Sequence, residues 1–261
     1  MKQTLQLIAT DCKRAIFSIS FVVSVIGIWI VFSWGAHSVI SENTDVLLMV
    51  QYASSASGTN NLILLFCVLP YTMSFCSDWD SGYIRLVAAR SGSLRYAVSK
   101  YFSCFFSSCL ATTVGMALFI LPVTLNHPLV DASAENLQPY ITLPTLEGQL
   151  LGQGQFVLYF IIYLFLRSLH NGFWATVGLC ASVYIPNRFV AVFIPFIGFY
   201  VLKLVTYQFP TWLQLSKLGA ANFILGGVGF NIMYAVFFFA ALLLLGGLLF
   251  VKSVKRRVSN A

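Results

Sequence analysis

The sequence predicts an all-α, polytopic membrane protein of six transmembrane helices with both termini on the cytoplasmic side. Three observations carry that fold class. The 261 residues are 59% apolar and only 9% charged, with a mean hydropathy of +0.84, against roughly 45–50% apolar and 25% charged in soluble domains. The apolar residues gather into runs of about 20, the length that crosses a bilayer core at 1.5 Å per residue. The basic residues fall between alternate runs. A soluble core could not hide 24 Phe, 12 Tyr and 5 Trp behind so few charges. The net charge of +7 does not point to nucleic acid. Nucleic-acid binding needs a basic face or stripe, and here the charges form short clusters between the runs.

In chain order, residues 1–14 read as an amphipathic entry helix on the inner surface. Met1 to Asp11 is no secretory signal, because the run after Lys13 and Arg14 is too long and lacks a small-residue cleavage site. Span one is Ala15 to Gly35, with Trp34 as interfacial anchor. Val46 to Tyr52 forms a separate interfacial helix, and span two, Asn60 to Phe75, is short by itself. Residues 77–100 make a cytoplasmic loop before span three, Tyr101 to Leu121, which Pro122 stops. An outer loop, 126–154, leads to span four within Gln155 to Tyr184. Span five is Phe189 to Tyr207 and span six Asn231 to Val251. The segment 206–230 between them holds Phe209, Trp212, Leu213 and Ile224, too apolar for a solvated loop, and reads as a re-entrant or outer hairpin. The chain is thus a single transmembrane domain, 1–261.

Orientation follows from the basic residues. Lys2, Lys13 and Arg14 precede span one; Arg85, Arg90, Arg95 and Lys100 lie between spans two and three; Arg188 separates four and five; Lys252, Lys255, Arg256 and Arg257 follow six. Twelve of fifteen therefore share one side. The other side carries Glu42, Asp45, Asp131, Glu135 and Glu147, with Lys203 and Lys217. A five-span arrangement would place the basic tail outside, against the positive-inside rule.

All eight carboxylates lie outside the apolar runs. Ion-coupled carriers place ionisable or coordinating groups near the midplane, so this pattern favours an energy source outside the chain. His170 is the only histidine near a span, and HExxH and GxxxxGK[ST] motifs are absent. The chain is therefore not an enzyme by itself and no cofactor is expected on it. Cys12, Cys67, Cys76, Cys104, Cys109 and Cys180 lie in or beside the apolar runs without CxxC or CxxH spacing. They read as packed thiols, not as a disulfide framework or a zinc site.

The stretch Ser77-Asp78-Trp79-Asp80-Ser81-Gly82-Tyr83-Ile84-Arg85 is the most informative. Asp78 or Ser77 can cap a short helix, with Asp80 favoured near its positive end. Tyr83, Ile84, Leu86 and Val87 offer an apolar face, and Arg90-Ser91-Gly92-Ser93 breaks it, Gly92 suiting a turn. Here the chain resembles the membrane subunits of bacterial ABC-2-type exporters, on Asp80, Gly82, Arg85, Arg90, Ser91, Tyr96 and Lys100. Ser182, Ile185-Pro186-Asn187-Arg188 and Phe193-Ile194-Pro195-Phe196 continue the resemblance, as does the Pro- and Leu-bearing segment Phe209 to Gly227.

The resemblance implies a permease in a bacterial plasma membrane, paired with a second copy or a similar permease. It implies separate cytoplasmic ABC ATPase subunits, which bind ATP and Mg. It also implies that Asp78 to Arg90 form a coupling helix docked on the ATPase, with Asp78, Asp80, Gly82, Tyr83, Ile84, Arg85 and Arg90 as coupling residues. Membrane lipids are the remaining partners.

Arg167, His170, Asn171 and Trp174 recur at i, i+3, i+4 and i+7 and so share a helix face. If span four begins near Phe156, Arg167 lies about 16 Å along it, near mid-bilayer; if it begins near Leu164, Arg167 lies by the outer interface. The face serves either as a substrate path or as a bundle-facing surface satisfied by backbone carbonyls. Aromatic spans without acidic sites suit an amphipathic or lipophilic substrate: an antimicrobial peptide, a drug or a lipid. The competing readings are an ion-coupled secondary transporter or channel, and a non-transporting membrane immunity protein.

Overall fold

The computed structural model describes residues 2–40, 44–55, 59–131 and 137–259. Among them every regular element is helical. Helix α1, Lys2–Ile16, is separated from α2, Ile19–Ala36, by a corner at Phe17-Ser18, where the Ser18 hydroxyl caps α2 by accepting from the Phe21 N–H at 3.1 Å. A serine N-cap satisfies a donor that the first turn leaves open. The short α3, Val46–Ser55, follows as a separate helix and buries Val46, Leu47, Met49, Val50 and Ala53 in the bundle.

Span two is not one helix. It divides into α4, Thr59–Val68, and α5, Ser74–Asp80, around a turn containing Pro70. Proline lacks an N–H and disfavours helical backbone in the residue before it. Neither half is long enough to cross a bilayer alone. Among the described residues five helices are: α2, α7 (Ser93–Val123), α10 (Phe156–Tyr184), α11 (Arg188–Thr206) and α13 (Val228–Ser259). The remaining elements are α6, Tyr83–Ser91; α8, Gln138–Thr142; α9, Leu146–Gly152; and α12, Leu215–Leu218, preceded by a 3-10 turn at Thr211–Leu213.

Side-chain contacts give the run of each helix. At the first end, Cys12 of α1 meets Ser103 of α7. At the second end, Gly35 of α2 lies against Ala53 of α3, whose first N–H groups bond the Pro128 and Leu129 carbonyls just beyond α7. Helices α2 and α7 therefore run in the same direction, and α4, the Pro70 turn and α5 make the return between them. Helix α10 comes back to the first end and α11 departs from it. Helix α13 returns, placing Arg257 on the Val183 and Tyr184 carbonyls and over the Trp79 ring, 4.4 Å from its centroid. Both α1 and the end of α13 thus lie at one end of the bundle, together with the twelve clustered basic residues.

The long helices meet closely where glycine allows it. A Cβ on Gly178 would lie 2.3 Å from the Ala191 carbonyl oxygen, so glycine sets the α10–α11 approach. Gly246 and Gly247 of α13 lie against Tyr101 of α7, whose hydroxyl donates to the Leu243 carbonyl at 2.9 Å. The Phe237-Phe238-Phe239 run is divided: Phe237 faces outward, and Phe239 is buried beneath His170.

Candidate functional site

The loop expected at 77–100 is an elbow of two helices. Ser81 and Gly82 separate α5 from α6, and Gly92 separates α6 from α7; both glycines are left-handed, at φ +69° and +81°. A side chain disfavours that backbone, so glycine lets the chain turn twice in about ten residues. Helix α7 accordingly starts eight residues earlier than the expected span three. Asp78 does not cap a helix start; it stands in the last turn of α5, where the helix dipole disfavours a carboxylate.

What holds Asp78 there is a buried ion cluster. The Lys100 ammonium lies 2.8 Å from Asp78 Oδ2 and 3.5 Å from Asp11 Oδ1. Tyr96 donates to Asp78 at 2.9 Å, Tyr71 to Asp11 at 2.7 Å and Ser99 to Asp11 at 2.5 Å. Lys100 also donates to the Tyr71 hydroxyl at 2.9 Å and lies 4.7 Å from that ring's centroid. Lys100 is 1% exposed, Asp78 4% and Asp11 7%. Charges buried this deeply are tolerated only when paired and hydrogen-bonded. The cluster ties α1, the Pro70 turn, α5 and α7 into one unit.

The residues expected to couple to an ATPase divide accordingly. Asp78 and Ile84 are buried and anchor the elbow, whereas Asp80, Gly82, Tyr83, Arg85 and Arg90 are exposed. Sequence reading placed every carboxylate outside the apolar runs. The fold nevertheless buries Asp11 and Asp78 in the bundle, a destination only the pairing with Lys100 reveals.

The second set lies in the middle of α10. Because the helix begins at Phe156, Arg167 sits about 16 Å along it. Arg167, His170, Asn171 and Trp174 are all buried. The Trp174 indole N–H donates to His170 Nε2 at 3.1 Å, so Nδ1 carries the proton shared with Asn171 Oδ1 at 3.2 Å. The Asn171 amide reaches the Thr112 hydroxyl at 3.4 Å, and its carbonyl accepts from Ser108 at 3.5 Å. Phe199 and Phe239 present their edges or faces to the imidazole. These contacts make an interior packing layer. A small crevice lined by Phe199, Lys203 and Leu215 touches Trp174 and none of the other three.

The segment 206–230 forms no long re-entrant helix, yet it does enter the bundle. Gly219 lies against His170, where a Cβ would come within 2.7 Å of the ring. Leu218, Ala221 and Phe223 are fully buried. The loop expected on the outer side is also structural: the Glu147 and Leu146 N–H groups bond the Ala221 and Phe223 carbonyls, pairing α9 with that segment. Glu147 itself is buried, accepting from Tyr159 at 2.8 Å and from Gln51. Burial pushes its carboxyl up to about 7, and the two hydrogen bonds pull it back only in part. Glu135 falls outside the described residues.

The long apolar helices define a multi-pass membrane protein. Searches of family models, curated proteins and solved structures find no match to the chain.

Proposed function

We propose that the chain is the permease subunit of an ATP-binding-cassette exporter of the ABC-2 type. Six crossings, the second made by α4 and α5 together, put both termini in the cytoplasm of a bacterial plasma membrane. Separate ATPase subunits bind ATP and Mg, and a second copy or a similar permease completes the pore. The observation that carries this reading is the α5–α6 elbow. Its outer face shows Asp80, Tyr83, Arg85 and Arg90, and its root is bonded through Asp78 to Lys100 and Asp11. A load applied at the exposed face is transmitted to α7 and α1 through a packed, charge-paired joint, which suits rigid-body rocking. Amphipathic or lipophilic molecules, including antimicrobial peptides, remain the substrate class.

The test is purification with a Walker-motif ATPase and substrate-stimulated hydrolysis. Because Ile84 is buried and Arg14 lies over the Tyr83 ring, 5.6 Å from its centroid, the informative variant is Arg85→Glu, which changes only the exposed face. Hydrolysis then loses its response to substrate while the protein still inserts and folds. A fully coupled variant removes the elbow from the mechanism.

A second reading, an ion-coupled carrier, draws on the same cluster, since two buried carboxylates beside a broken helix are the groups such carriers use. Uphill transport by the isolated polypeptide on an ion gradient, with no ATPase present, selects it over the exporter.

A further inference from the structure

At the basic end of the bundle a crevice of about 280 Å³ opens between the α1–α2 corner, the Pro70 turn, α5 and the start of α11. We propose that it binds the phosphate headgroup of an anionic phospholipid. Arg14 and Arg188 reach it from different elements. Each stands 4.0 Å from a carboxylate, Arg14 from Asp11 and Arg188 from Asp80, with side chains 51% and 61% exposed. At that distance neither contact is a hydrogen bond, so both guanidinium forks keep donors for an oxyanion, the group they match best. Asp78 and Lys100 also line the crevice, but they are paired with each other, and the Asp11 and Asp78 carboxylates are held by Lys100, Tyr71, Ser99 and Tyr96. The buried Ser74 hydroxyl lines the same crevice with no hydrogen-bond partner among the described residues.

Three apolar neighbours make the ligand a lipid instead of free phosphate. Ser18 and Arg188 line the crevice, and their chain neighbours Phe17, Ile19 and Phe189 stand beside it with exposures of 87%, 83% and 75%. A phosphodiester between the arginines leaves acyl chains to cover these side chains. The site does not depend on an ATPase partner.

The test uses the purified full-length chain in neutral detergent, with intrinsic tryptophan fluorescence reporting thermal unfolding. It is titrated with mixed micelles of phosphatidylglycerol, of phosphatidylcholine, and with inorganic phosphate. Phosphatidylglycerol should raise the midpoint at about tenfold lower concentration than phosphatidylcholine, and inorganic phosphate should leave it in place. The Arg14→Gln/Arg188→Gln variant should need about tenfold more phosphatidylglycerol, the loss of two charge-assisted contacts. If that variant does not fold, each single change should cost about threefold. Equal responses to the two lipids, a matching response to inorganic phosphate, or a variant that binds as tightly overturns the proposal.

Discussion

Lys100 shows how one side chain governs a neighbourhood. It is 1% exposed and faces Asp78 and Asp11. Lys100→Met should cost about 3–5 kcal/mol, since it leaves buried carboxylates uncompensated. Thermal unfolding in detergent checks this, and adding Asp78→Asn should recover part of the loss. Glu147 makes the complementary case. Its folded pKa of about 7 lies above the ordinary carboxylate value, so the folded state binds more protons than the unfolded state between the two. Stability therefore declines as pH rises from about 5 to 7 and levels off above that window. Glu147→Gln should flatten the decline while keeping hydrogen bonds to Tyr159 and Gln51. A pH series of unfolding midpoints for both proteins gives the comparison.

Among the elements, the breaks matter as much as the helices. Gly82 is left-handed with nothing within 4 Å of its missing Cβ. Gly82→Ala should cost only about 1–2 kcal/mol of backbone strain. Gly178 is an ordinary helical position, but a Cβ there would meet the Ala191 carbonyl at 2.3 Å. Gly178→Ala should therefore be the more destructive, prising α11 from α10, and unfolding midpoints of the two variants settle the order. Local chemistry made several of these features readable in advance. Apolar runs located the long helices, and Arg90-Ser91-Gly92 the turn before α7. The break of span two at Pro70 and the division of the elbow at Gly82 were not read, because a hydropathy window averages across a single proline or glycine.

At the scale of the molecule, α2 and α7 run in the same direction, so the broken α4–α5 pair must bring the chain back. This predicts six crossings. In a cysteine-free background, Leu125→Cys should react with a membrane-impermeant maleimide added to intact cells. Arg90→Cys and Arg256→Cys should react only after permeabilisation. Labelling of Arg256→Cys in intact cells would mean an odd number of crossings and would undo this topology.

The residue pattern alone determined that the chain is a helical membrane protein, where its five long apolar helices lie and which stretches gather the positive charge. Those properties depend on composition and short-range periodicity, which a linear reading retains. Only the tertiary structure decided that Asp11 and Asp78, 67 positions apart in the chain, share Lys100, that Gly219 reaches His170, and that Glu147 is buried under the outer segments. Each of these depends on contacts between distant segments, and burial of a charge becomes tolerable only when a partner from another helix arrives to meet it.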